Sequence, residues 1–163
     1  MTSRFRLARA ATLIAFCALA SRAALAQAGP SSGTEIVTVT SNASFDSTLA
    51  RLERAAVARG LTIALKLDHA AAARRAGLSL RPTTLVIAGN PAAGTPLMLA
   101  DQTIAVELPL RFLVWQGEDG RARVSYDPIR SIAARHHITG RDELLARMTG
   151  AIESIVKDAT EPR

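Results

Sequence analysis

Cysteine is almost missing from this chain. Of 163 residues one is cysteine, Cys17, and it sits in a leader-like stretch. The rest is therefore expected to hold no disulfide, no thiol nucleophile and no thiolate metal ligand. Aromatic residues make up 4%, with a single Trp and a single Tyr, so any core must be aliphatic. Histidine occurs three times, at 69, 136 and 137. Without cysteine that is a thin supply for a centre needing three or four ligands. Neither the Gly-x-Ser-x-Gly elbow nor the glycine-rich Gly-Lys-Ser/Thr phosphate loop is present. After the first 26 residues no apolar run approaches the roughly 20 residues of a membrane span.

Acidic residues are fewer than basic ones, 14 against 20. Four of the arginines (Arg4, Arg6, Arg9, Arg22) fall in the first 26 residues, which have no acid, leaving 16 against 14, or +2. The remaining basic residues are scattered among acids rather than clustered on one face, so no nucleic-acid partner is expected. Arg4, Arg6 and Arg9 precede an eleven-residue apolar run, Ala10–Ala20, and a small-x-small triplet, Ala24-Leu25-Ala26. This is the pattern of a cleavable signal over 1–26, cut after Ala26. The expected location is periplasmic or secreted, with no stable membrane anchor after cleavage. Residues 27–163 have the length of one domain with a real core.

Residues 27–34 are Ala/Gly/Pro/Ser-rich and read as a flexible leader. Glu35–Ser41 is β-branched and predicts a strand. Ser44 caps a helix whose apolar face is Phe45, Leu49, Leu52 and Ala56, ending at Gly60. Leu61–Leu67 alternates, which places Leu61, Ile63, Leu65 and Leu67 inward and Thr62, Ala64 and Lys66 outward. Asp68 caps a short helix over 69–76, closed by Gly77. A third strand spans Thr83–Ala88. The Gly89–Pro96 stretch, Gly-Asn-Pro-Ala-Ala-Gly-Thr-Pro, then reads as an irregular rigid loop. Leu97–Asp101 reads as a helical turn and Thr103–Leu108 stays ambiguous. Leu110–Gln116 and Arg121–Tyr126 form a hairpin around Asp119-Gly120. Asp127-Pro128 opens a short helix with Ile129, Ile132 and His136 on one side. A Thr139-x-x-Asp142 capping box opens the last helix, with a stripe of Leu144, Met148, Ala151, Ile152 and Ile155. The tail, 159–163, is expected to fray. Two long helices on one face of a mostly antiparallel sheet make an α+β two-layer sandwich.

Three places could carry chemistry. The loop offers the Asn90 amide, the Thr95 hydroxyl and backbone N–H groups made accessible by Gly94. Asn90 can equally close an Asx-turn on its own backbone. Asp68-His69 pairs a carboxylate with an imidazole, although Asp68 is already explained as a cap. His69 could point toward the strand end, near the loop if the two strands are neighbours. His136 and His137 diverge by about 100° on a helix, which suits packing and carbonyl capping at the helix end better than chelation.

Four segments in order resemble a known family: Asp68-His69-Ala70-Ala71-Ala72 with Ala76-Gly77-Leu78-x-Leu80; Gly89-Asn90-Pro91-x-x-Gly94-Thr95-Pro96-Leu97-Met98; Leu108-Pro109-Leu110-Arg111-Phe112-Leu113-Val114-Trp115; and Val124-Ser125-Tyr126 with Ala134-Arg135-His136. The chain is identified over 35–158 as a member of the domain of unknown function 302 family. That resemblance implies a TBP-like β-α-β4-α fold, often dimeric, and no defined reaction. Ala88 departs from the aromatic that similar members place before Gly-Asn-Pro, which implies a wider or shallower pocket. The expected function is a non-enzymatic exported module binding a small ligand or protein partner through Asp68, His69, Asn90, Gly94 and Thr95, with no cofactor. A small periplasmic enzyme using His69 with Asn90 or Thr95 is the alternative, and a metal- or haem-linked accessory protein the third. A homodimer is expected, since a small sheet must hide its edges.

Overall fold

The computed structural model describes residues 36–161. The proposed signal, the leader 27–34, Glu35 and residues 162–163 lie outside the described residues. Five strands form one antiparallel sheet in the order β1-β5-β4-β3-β2: β1 Val37–Thr40, β2 Thr62–Asp68, β3 Thr83–Gly89, β4 Leu110–Gln116 and β5 Ala122–Tyr126. Helices α1 (Phe45–Ala58) and α5 (Asp142–Thr160) pack on each other and on one face of the sheet. Three shorter helices, α2 (His69–Arg75), α3 (Pro91–Met98) and α4 (Ile129–Arg135), and a 3₁₀ turn (Gln102–Val106) fill the connections. The fold is thus the two-layer α+β sandwich, with strand and long-helix order β-α-β4-α.

The core is aliphatic. Leu52 and Ala56 of α1, Val86 and Ala88 of β3, Val114 of β4, Val124 of β5 and Ile155 of α5 are fully buried, and Phe112 is the one large aromatic among them. Polar contacts sew the β1–α1 turn to the last turn of α5. Asn42 N–H donates to the Thr160 carbonyl at 2.9 Å, and the Ser41 and Thr48 hydroxyls meet at 2.7 Å. Residues 159–160 accordingly do not fray: Ala159 and Thr160 are buried and still helical, because Thr160 serves as an acceptor for the β1–α1 turn.

Other expectations also change. The alternation in β2 holds only for its first half. Ile63 pairs with Ala88 but Leu65 with Ile87, so Ala64 is an extra residue, a β-bulge, and every later side chain changes face. Ile63 packs on the core, whereas Leu65 and Leu67 are 49% and 38% exposed on the opposite face. Lys66 now lies on the helix side and pairs with Glu53 of α1 at 2.9 Å. The Thr139–Asp142 capping box does not form. Gly140 turns the chain at φ 66°, Arg141 occupies the cap without a side-chain bond, and Asp142 is already helical. Asp127 does not cap α4 either; its carboxylate binds Arg135 at the far end of that helix.

Candidate functional site

Gly89–Pro96 is not an irregular loop, contrary to the sequence expectation. After Gly89 ends β3, Pro91 sits at the first position of α3, where its missing N–H costs nothing. The Asn90 Oδ1 accepts from Ala92 N–H at 2.9 Å and caps the helix. The other end of the same amide donates from Nδ2 to the Gly60 carbonyl at 3.1 Å. One side chain therefore ties the turn after α1 to the turn after β3. Gly89 is required by close approach: a Cβ there would stand 2.8 Å from Cβ of Pro109, whose peptide bond to Leu108 is cis.

This brings together a cleft of about 550 Å³ at one end of the sheet. The ends of β2 and β4 supply Leu61, Ala64 and Leu110, and the connection into β4 supplies Leu108 and Pro109. Helix α3 contributes Ala93, Gly94 and Met98, and α5 contributes Leu144, Met148 and Ala151. The ionisable residues lining it are Arg59 and Arg147. Arg59 is occupied: its guanidinium donates to Ser154 Oγ (2.5 Å), Asp158 Oδ2 (2.6 Å) and the Ala55 carbonyl (3.1 Å). Arg147 is 69% exposed and has a 3.8 Å contact with Glu143, itself 95% exposed.

The size falls in the range of small-molecule pockets, and the lining is apolar with few polar groups, as such pockets are. Leu144, Met148 and Ala151 are half-buried, while Leu145, Ile152, Ile155 and Val156 are buried. The apolar surface of α5 is thus wide enough to face two ways, into the core and into the cleft.

Of the residues singled out in the sequence, Asn90, Gly94 and Thr95 line this cleft. Asp68 and His69 do not join them. Strand β2 runs antiparallel to β3, so Thr62 lies opposite Gly89 while Asp68 lies opposite Thr84. The six-residue separation along β2 puts the Asp68-His69 pair about 20 Å from the cleft end. Asp68 caps α2 by accepting from Ala71 N–H at 2.8 Å. The enzyme arrangement of His69 with Asn90 or Thr95 is therefore not assembled. Sequence reasoning passed over Arg59, Met98, Leu108 and Arg147. The available signal was the doubled apolar stripe of α5, Leu144-Leu145 and Ile155-Val156, wider than one packing face requires.

A second polar cluster braces the opposite connection. His136 follows α4, and its ring bonds sideways rather than to helix carbonyls: Nδ1 meets Thr103 Oγ1 at 2.9 Å and Nε2 meets Glu107 Oε1 at 3.1 Å. The Thr103 hydroxyl also donates to Asp101 Oδ1 at 2.6 Å, which lowers the Asp101 pKa. Arg135 spans Glu107 and Asp127. Its hydrogen bonds, above all, hold the Glu107 carboxyl below the usual range. A hydroxyl, an imidazole and a carboxylate in line suggest a nucleophile relay, but the Thr103 proton is directed at Asp101 and Glu107 is neutralised by arginine. The arrangement holds the 3₁₀ turn against α4. Among the described residues no group of three His, Cys, Asp or Glu could hold a metal ion, and no helix is long and apolar enough to cross a membrane.

A five-stranded antiparallel sheet backed by two long helices, with a cleft at one end, defines a small two-layer α+β domain. The chain belongs to the family described as Domain of unknown function DUF302, whose model matches residues 37–155. The crystal structure of an uncharacterized conserved DUF302 protein from Bacillus stearothermophilus superposes with a TM-score of 0.69 at 15% identity, over 76% of this chain and 97% of that one. That likeness concerns the fold. Curated relatives include the fluoride-specific ion channels FluC 1 of Brucella suis biovar 1 (strain 1330) and FluC 2 of Brucella melitensis biotype 1 (strain ATCC 23456 / CCUG 17765 / NCTC 10094 / 16M). Each is 38% identical over 103 residues, or 63% of this chain. The matched region is 41% and 38% of those relatives' length, so the chain spans about two-fifths of the proteins it matches.

Proposed function

We propose that this chain is an exported, non-enzymatic module that holds a small, mainly apolar ligand in the cleft between α3 and α5. The carrying observation is the cleft itself: 550 Å³ walled by Leu, Ile, Met, Ala and Pro side chains. Export is supported by the basic start, the apolar run 10–20 and the Ala24-x-Ala26 triplet. The lack of an assembled acid–base set around His69 favours binding over catalysis. The reading predicts that native mass spectrometry of the purified protein retains a small apolar molecule, natural or added, and that Ala151→Trp, which fills the cleft, abolishes it. Repeated failure to retain any ligand would sink the proposal. Periplasmic fractionation with a mature N-terminus at Gln27 tests export.

The relatives favour a second reading, that the module acts beside a membrane channel. In them a region like this one shares a polypeptide with what is described as a fluoride-specific ion channel. The matched region is 41% of the Brucella suis relative's length, and no helix among the described residues is long and apolar enough to cross a membrane, which supports reading the shared region as an appended domain. Crosslinking in membranes of the native host tests it, and recovery of no channel protein would remove it.

A homodimer belongs to the proposal as well. The sheet face not covered by the long helices carries Leu65, Leu67, Leu85, Ile87 and Leu113, and a second copy of the same face would cover it. Light scattering should give twice the chain mass, falling to the monomer in Leu67→Lys; a monomeric wild type at high concentration refutes it.

A further inference from the structure

Resting on the cleft as a ligand site, we propose that its ligand is a flexible amphiphilic anion: a straight alkyl chain of about eight to twelve carbons ending in a carboxylate. The volume is the first ground. At about 30 Å³ per water-sized group, 550 Å³ accommodates on the order of 15 non-hydrogen atoms.

The walls are the second ground. Met98 on α3 and Met148 on α5 both line the cleft, and unbranched thioether side chains adapt to a chain that changes conformation. The polar side chains lining the cleft besides the arginines are few: the Thr62 and Thr95 hydroxyls and the Asn90 amide. The Asn90 amide is engaged at both ends, by Ala92 N–H and by the Gly60 carbonyl. A sugar, nucleotide or amino acid would give up many water partners inside the cleft and find two hydroxyls in exchange. A hydrocarbon gives up nothing.

Charge is the third ground. The ionisable residues lining the cleft are two arginines, with no carboxylate among the lining residues. Arg59 is neutralised by Asp158 at 2.6 Å. Arg147 keeps its donors, because its partner Glu143 stands 3.8 Å away and is almost wholly in solvent. Being exposed itself, Arg147 meets a ligand headgroup at the water boundary, so the chain lies inside and the carboxylate outside. Its contribution is that of an exposed ion pair, a few-fold in affinity and weakened by salt.

The experiment titrates the full chain with decanoate, decanol and decyltrimethylammonium, each below its micelle concentration, using calorimetry at low and high salt. Decanoate should bind about three- to fivefold tighter than decanol, with the ammonium weakest and the decanoate advantage gone at 0.5 M salt. Arg147→Glu should cost decanoate at least fivefold and leave decanol within twofold. Ala151→Trp should remove binding of all three, its folding checked by an unchanged circular-dichroism spectrum. If decanol binds as well as decanoate and Arg147→Glu changes neither, the anion inference is overturned while the cleft reading survives. If none of the three binds the wild type, both fall.

Discussion

Two glycines five positions apart should answer an added methyl group with opposite signs. Gly94 lies within α3, and a Cβ there would touch Cδ1 of Leu108 at 3.7 Å and Cε of Met98 at 3.9 Å. Both distances are ordinary van der Waals contact. Replacing a helical glycine by alanine is worth about 1 kcal/mol, and the new contacts add a few tenths more. Gly94→Ala should therefore stabilise the domain by about 1 kcal/mol, raising Tm by roughly 3–5 °C for a domain of this size. Gly89→Ala has the opposite prospect. Its Cβ would stand 2.8 Å from Cβ of Pro109, and Pro109 can yield only by moving the β4 backbone. Overpacking of this kind costs about 1–3 kcal/mol. Urea unfolding of both variants gives the answer, with the midpoint rising for one and falling for the other at constant slope. Destabilisation by Gly94→Ala would mean that α3 does not persist as a helix in solution. A neutral Gly89→Ala would mean that the Gly89–Pro109 contact is looser than described.

Glu107 makes stability pH-dependent. Its folded pKa is depressed, first by the hydrogen bonds from Arg135, so its contribution is complete above the unfolded value of about 4.3 and disappears as pH falls through the lower folded one. Glu107→Gln should cost about 2 kcal/mol at pH 7, and the gap to wild type in urea midpoints should close on acidification; a gap constant down to pH 3 would contradict the ion-pair account. Ile63→Ala should cost about 2 kcal/mol and Leu65→Ala under 1, since the Ala64 bulge puts them on different faces; equal losses would argue for unbroken alternation. Asn90→Ala removes a helix cap together with the bond to Gly60 and should cost about 1–2 kcal/mol, measurable in the same assay, and no loss would show that neither bond contributes.

What could be read in advance came from local rules. Strands, long helices and the Asp119-Gly120 hairpin are written in short-range periodicity and turn chemistry, and they suffice for the sandwich. Ser44 and Asp68 cap α1 and α2 as their side chains predict. What escaped depends on partners distant in sequence. The alternation of Leu61–Leu67 looks continuous, and only pairing with β3 exposes the extra residue at Ala64. Asp127 and Thr139 have the composition of caps, but Arg135 claims the one and the turn at Gly140 displaces the other. The site was half legible for the same reason. Asn90, Gly94 and Thr95 are conspicuous because they break periodicity, whereas Leu108, Met148 and Arg147 look like ordinary core and surface residues until α5 is laid beside α3. His69 misled because adjacency in sequence says nothing about which end of a strand a turn occupies.

The extra residue in β2 gives one short strand two addressees. Before it, Leu61 and Ile63 belong to the core and the cleft; beyond it, Leu65 and Leu67 belong to the open face. Were Ala64 paired in register instead of bulged, a single frame of sidedness would run through the whole strand. Leu65 and Leu67 would then move beneath α1, and Lys66 would exchange Glu53 for the open sheet. A single codon thus separates the surface that would grip a ligand from the surface that would meet another molecule, leaving each free to be reshaped without disturbing the other.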